Sequence, residues 1–435
     1  MYKRLFLVLI IVLMISSPIC AKGLGWKAVN YSSPDLIKES GLTIEEFNNL
    51  SQSEWLNLFN GKEKVNFAFS ATSENGDDIT DKTNPNLSII VKGSNQDQLV
   101  NFEYLLLDDG PDAPRGEKAD SLNDQDGDGY LDIWYLEQLA YVGTDETTLG
   151  KNFELMRSLD FYNPSHYLNP EVNKHKWVSG EGWLPLGHYQ NGEPSKEFRG
   201  FFNGNHYEIK NLYINRPTTS YIGLFQKTIR GRISNVLLTN VNITGQQYVG
   251  GLIGYMNYGR DYNRRYGQSL IEKSMVQGNI NGSSIVGGLA GYNYYSHIRE
   301  SISHANITGE ENSGGLVGYF RYGNSIINSY STGKISSGYR NGGFVGSHVA
   351  DAADILNSYS IGEVNGGGFV GHSNGTVRRS FWDKDTSGAA TSYRGVGLTT
   401  SEMKTAQTFI DVGWNTDIWE LKDGQYPKLK WEKTI

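Results

Sequence analysis

Gly314-Gly315-Leu316-Val317-Gly318, then Ile326-Ile327-Asn328-Ser329, then Gly333-Lys334-Ile335 is the stretch to which the rest of the chain can be aligned. Its opening phrase is written five times, at 250–254, 287–291, 314–318, 342–346 and 367–371, in steps of 37, 27, 28 and 25 residues. The second phrase follows each copy as Ile271-x-x-Ser274, Ile298-x-x-Ser301, Ile326-x-x-Ser329, Ile355-x-x-Ser358 and Val377-x-x-Ser380. The third returns as Gly278-Asn279-Ile280 and Gly362-Glu363-Val364. A fixed period of this size marks a solenoid or a propeller.

The chemistry of the unit predicts a parallel β-helix. Its apolar pieces are short, bounded by Gly, Asn and Ser, and lack the i, i+3, i+4 spacing of an amphipathic helix. One unit makes one coil, and a coil buries its apolar face only against the coils above and below. The repeated Gly is expected to supply positive φ at corners and close approach of backbones. A propeller blade needs roughly 40–45 residues, more than most of these steps provide.

The stretch 314–335 resembles the GLUG motif of bacterial secreted and surface proteins. Phe198-Arg199-Gly200-Phe201-Phe202-Asn203-Gly204-Asn205 onward to Leu212 resembles the coil that precedes such repeats, with Asn203 where that family more often has Asp. The resemblance spans roughly 120–430. It implies a right-handed parallel β-helix in an extracellular or cell-surface setting, and no single activity.

Around the repeats, the 435-residue chain has room for further domains. Residues 1–21 read as a secretory signal, with Lys3 and Arg4 before the apolar run Leu5 to Ile15 and a cleavage site after Ala21. That run is short for a membrane span, so no transmembrane segment is expected once it is removed. Cys20 is the only cysteine, and a lipoprotein acylated there is the lesser reading. Residues 22–107 read as a small α+β domain. Thr43-x-x-Glu46 and Ser51-x-x-Glu54 fit capping boxes, and strands are expected near 65–70, 87–92 and 99–107. Residues 108–132 form an acidic linker, 133–381 the β-helix and 382–435 an aromatic C-terminal cap. The formal charge of −8 argues against a nucleic-acid surface.

Two site signals stand out. Asp124, Asp126, Asp128 and Asp132 occupy positions 1, 3, 5 and 9 of an EF-hand-like loop with Gly129 at 6, which points to calcium. Tyr135 stands at position 12 where the pattern wants Glu, so the alternative is a solvated acidic linker. The second signal is aromatic. Tyr255, Tyr292 and Tyr319 follow the third Gly of successive repeats, with Tyr258, Tyr295 and Tyr322 beyond them. Equivalent positions on stacked coils lie about 4.7–4.9 Å apart, so these rings form either a ligand-binding strip or a stacking ladder that only stiffens the solenoid. Arg264, Arg299 and Arg321 are its candidate anion-binding partners. Ser347 and His372 replace Tyr in the last two copies, which confines the strip to the middle coils.

No H-E-x-x-H motif is present, and no cysteine lies beyond the signal. The sequence therefore points to a secreted or cell-surface, non-catalytic binding or adhesion protein whose partner is a glycan or an extracellular protein. A polysaccharide-active β-helix enzyme and a structural envelope component are the alternatives.

Overall fold

The computed structural model describes residues 122–432, apart from 126, 144–147, 174–175, 188–196, 261–265, 323–324 and 350–353, together with four short strands nearer the N-terminus. The chain divides into two compact units, 1–113 and 114–435. In the first, Val29–Tyr31 pairs antiparallel with Phe69–Ala71, and Val65–Phe67 with Leu87–Ile89. The strands expected near 65–70 and 87–92 are these. The capping boxes at 43–54 and the strand expected at 99–107 lie outside the described residues.

The second unit is a parallel β-helix with three faces. One coil runs Ile253–Asn257 on the third face, Leu270–Glu272 on the first, then Met275–Asn281 and Ser284–Gly287 on the second. Each strand pairs in parallel with the same strand of the next coil. The first face begins with Leu131–Ile133 and ends with Thr376–Arg378; the second runs from Leu159–Asp160 to Val396–Leu398.

In-register stacking turns each repeat position into a ladder. Phe153, Phe202, Ile233, Ile271, Ile298, Ile326 and Ile355 succeed one another along the first face, each fully buried. Full burial of each such side chain contributes roughly 1.5–3 kcal/mol of transfer free energy. The serines of the second phrase form a polar ladder at the following corner. Ser274 N–H donates to Ser301 Oγ (3.3 Å), Ser301 N–H to Ser329 Oγ (3.1 Å), Ser329 N–H to Ser358 Oγ (3.2 Å) and Ser358 N–H to Ser380 Oγ (3.2 Å). Each of the five hydroxyls donates to the carbonyl two residues back, for example Ser301 to Arg299 O at 2.6 Å. Buried corners thus keep their backbone groups satisfied.

The glycines of the Gly-Gly phrases meet one part of the expectation, close approach, and not the other, positive φ. The left-handed residue before each ladder serine is not Gly but Lys273, Glu300, Asn328, Asn357 or Arg379, at φ +45 to +52°. None of the glycines in the five Gly-Gly phrases has positive φ. What they provide is close approach: a Cβ on Gly251 would stand 2.6 Å from the Gly288 carbonyl of the next coil.

Both ends are closed by aromatic side chains. At the N-terminal end, Leu131–Ile133 leads into the helix Leu136–Tyr141, whose Leu136 and Leu139 are buried. Phe161, Trp177 and Trp183 meet edge to face there. At the other end, the tail read as a cap divides its work. Phe381–Asp383 and Val396–Leu398 add to the second face. Residues 399–432 then run back along the outside. They cover an outward apolar ladder of Leu237, Met275, Ile302, Tyr330, Tyr359 and Phe381 with Met403, Phe409, Trp414, Trp419 and Leu429. Indole N–H groups pin this strap to coil corners: Trp414 to Arg379 O (3.0 Å), Trp419 to Asn328 Oδ1 (3.3 Å) and Trp431 to Glu300 O (2.7 Å).

Candidate functional site: a tyrosine flank

The third face brings Tyr255, Tyr292 and Tyr319 into direct register, followed by Ser347 and His372. Tyr255 and Tyr292 stack at 4.9 Å, and Tyr292 and Tyr319 at 5.2 Å. A second row follows at the next corner. Tyr295 stacks on Tyr322 at 5.2 Å and leans on Tyr258 at 4.8 Å, with Tyr295 and Tyr322 at φ +49° and +59°. Tyr294 joins the rows, 6.0 Å from Tyr292 and 5.5 Å from Tyr322.

Two further tyrosines extend the cluster. Tyr221 and Tyr248, stacked at 4.8 Å, occupy left-handed corners just before their own glycine phrases and meet Tyr255 edge-on. Their shared offset of two residues ahead of Gly223 and Gly250 was visible in the sequence. Their contact with the strip was not, because it depends on how tightly the corner turns. Lys227 lies 4.0 Å above the Tyr221 ring.

Arg321 is a second cation on this flank. Its guanidinium sits 4.5 Å from the Tyr322 ring centre and Nη2 donates to Tyr322 Oη at 2.7 Å. Burial pushes the Tyr292 hydroxyl up to about 12, against the opposing pull of its hydrogen bond from Arg321. Burial also raises the Tyr255, Tyr248 and Tyr294 hydroxyls. All these phenols are therefore neutral donors and acceptors near neutral pH. Arg299 is carried to the first face, beside Glu272 and Ile327, rather than among the tyrosines. Arg264 lies outside the described residues.

In the acidic loop, Gly127 and Gly129 at positive φ wrap the chain around Asp124. Its carboxylate accepts from Gly127 N (2.7 Å), Asp128 N (3.1 Å) and Gly129 N (2.9 Å). Asp128 accepts from Tyr130 N at 2.8 Å, whereas Asp132 is buried and accepts from Gln125 N at 3.2 Å. Tyr135 begins the helix Leu136–Tyr141, and Glu137 accepts from Leu168 N and Asn173 Nδ2. Among the described residues no three acidic, His or Cys side chains converge as a metal set; Asp126 is not among them. Of the described loop carboxylates, Asp124 and Asp128 are exposed and Asp132 is buried.

No family model matches the chain. It is 32% identical over 117 residues to a candidate Gly-rich membrane protein of Evansella cellulosilytica, which covers 24% of this chain and 14% of that protein. It is 31% identical over 133 residues to halomucin of Haloquadratum walsbyi, covering 29% of this chain and 1% of halomucin. The chain thus spans a small part of the curated relatives it matches. A solved structure of a candidate immunoglobulin A1 protease from Bacteroides ovatus aligns with a TM-score of 0.44 at 19% identity, over 65% of this chain and 86% of that one. Among the described residues, no helix is long and apolar enough to cross a membrane.

Proposed function

We propose that the chain is a secreted or surface-exposed, non-catalytic binding protein of GLUG-repeat type that presents its tyrosine flank to a glycan or an extracellular protein. One observation carries this reading. Nine tyrosines from successive coils form a continuous, mostly half-buried patch with Arg321 among them. Tyrosine and arginine are over-used at binding surfaces, where a ring supplies apolar area and its hydroxyl stays wet. The mutual stacking of Tyr255, Tyr292 and Tyr319 also favours a second reading, a ladder that only stiffens the coils, because it uses up the ring faces. Export through the N-terminal signal and calcium at the acidic loop belong to the first reading.

A screen of the full chain against glycan and extracellular-matrix panels, beside a polysaccharide depolymerisation assay, tests it. The flank predicts capture of a partner that Tyr319→Ala and Arg321→Gln weaken about tenfold or more, with the β-sheet signal unchanged. Binding at full strength by both variants removes the flank as the site. Unfolding of Tyr319→Ala assigns the tyrosines to stability.

A further inference from the structure

A different place on the β-helix carries an independent site. Two residues into each second-face corner, the inward ladder runs Ile222, Val249, Val286, Ser313, Asn341 and then Gly366. Ile222, Val249 and Val286 are buried core residues. The position thus changes from apolar to polar and then loses its side chain altogether. Asn341 is only 2% exposed; its Nδ2 donates to Asn365 O at 3.4 Å, and its Oδ1 accepts no hydrogen bond from the protein. A valine there would have continued the apolar ladder.

Asn341 is one of the residues around a hollow of about 450 Å³, within the range of roughly 300–1,000 Å³ usual for small-molecule sites. Gly366 and Gly367 also line it, packed closely on the main chain of Asn341 and Val370. Its rim carries Tyr339 and Tyr393, 59% and 57% exposed. These rings stand open, unlike those of the flank. Arg340 lies over one face of Tyr339 at 4.9 Å, and His372 meets Tyr393 edge-on at 5.1 Å. The Arg340 Nε is buried with no acceptor. No carboxylate lines the hollow, so its one formal charge is positive.

We propose that this hollow binds an acidic sugar residue, a hexuronate within an extracellular polysaccharide. The ligand must bring an apolar ring face to lie against Tyr339 or Tyr393 and an anion for Arg340. A hexuronate has both. The guanidinium fork suits the planar carboxylate, and the electron-rich ring face suits the C–H groups of a sugar's flat side. The site lies outside the tyrosine flank and stands whether or not that flank binds a partner.

The test is calorimetric titration of the full chain with a galacturonic acid trisaccharide, and with the galactose trisaccharide of the same linkage. The acidic sugar binds and the neutral one binds at least about tenfold more weakly. Tyr393→Ala and Arg340→Asn each reduce uronate affinity about tenfold or more with an unchanged melting temperature; Asn tolerates the left-handed backbone at φ +54°. Tyr319→Ala and Arg321→Gln leave it unchanged. No heat of binding up to about 10 mM overturns the proposal, as does equal affinity for the two sugars. Loss of binding in the Tyr319 and Arg321 variants but not in the Tyr393 and Arg340 variants also overturns it, and moves acidic-sugar binding to the flank.

Discussion

Gly288→Ala isolates what the repeat glycines do. Gly288 does not have positive φ, so alanine can adopt its backbone conformation and the effect is one of space. A methyl group there would overlap both the Ser303 hydroxyl and the Gly315 carbonyl of the next coil. A side chain can rotate, but the carbonyl cannot move alone. The coils are held together on both sides, by Gly251 N to Gly288 O at 3.0 Å and Leu289 N to Leu316 O at 2.9 Å. Overpacking that a core can relax around costs about 1–3 kcal/mol. With main chain as the wall, the upper end is expected for alanine and more for valine. At roughly 2–4 °C per kcal/mol for a unit of this size, Gly288→Ala should melt about 6 °C or more below wild type. Thermal melting followed by far-UV circular dichroism measures this. The double variant Gly288→Ala with Ser303→Ala removes the hydroxyl and leaves the carbonyl, so it should recover only part of the loss. Full recovery places the obstruction in the side chain alone. A Gly288→Ala melting temperature within about 1 °C of wild type refutes the close coil contact altogether.

Trp419→Ala removes a 1%-exposed indole from beneath the strap and should cost about 3–5 kcal/mol. Proteolysis after residue 398 and dye binding should rise while the β-sheet signal persists; simultaneous loss of both would make strap and coils one cooperative unit. His304 is held down to about 4 by burial and by Lys428 nearby, while unfolded histidine titrates near 6.5. The unfolded chain therefore binds the extra proton between these values, and stability contributed by neutral His304 falls as pH drops through that window. His304→Gln should flatten the fall between about pH 6.5 and 4; identical pH profiles of stability would refute it. Calcium at the acidic loop should raise the melting temperature by mass action, and Asp128→Ala should remove that response. Equal melting in excess calcium and in chelator dismisses the ion.

The strands and their stacking were legible because identical repeat positions in a parallel coil become neighbours. The periods at 250–371 therefore located the recurring Ile-x-x-Ser phrase and the Tyr255–Tyr292–Tyr319 alignment, while the corner role of the serines came from the structure. The left-handed corners were assigned to the wrong residue type. Lys273, Glu300 and Arg379 bear the positive φ because the following serine, bonded to a neighbouring coil, holds the corner in place. Arg299 was grouped with the tyrosines by its closeness in sequence, yet a corner separates them onto different faces.

Sequence alone thus determined the repeat, the coil and which side chains line its core. Tertiary structure decided the rest: that 399–432 lies along the outside of the second face, that Tyr221 and Tyr248 join the aromatic cluster, and that Tyr339, Arg340 and Tyr393 line one hollow. The reason is physical. A repeat carries its own register, so its contacts can be read from spacing. A strap has no period to align, and a hollow is lined from different coils, here by Tyr339 and Tyr393, which only the packed chain brings together.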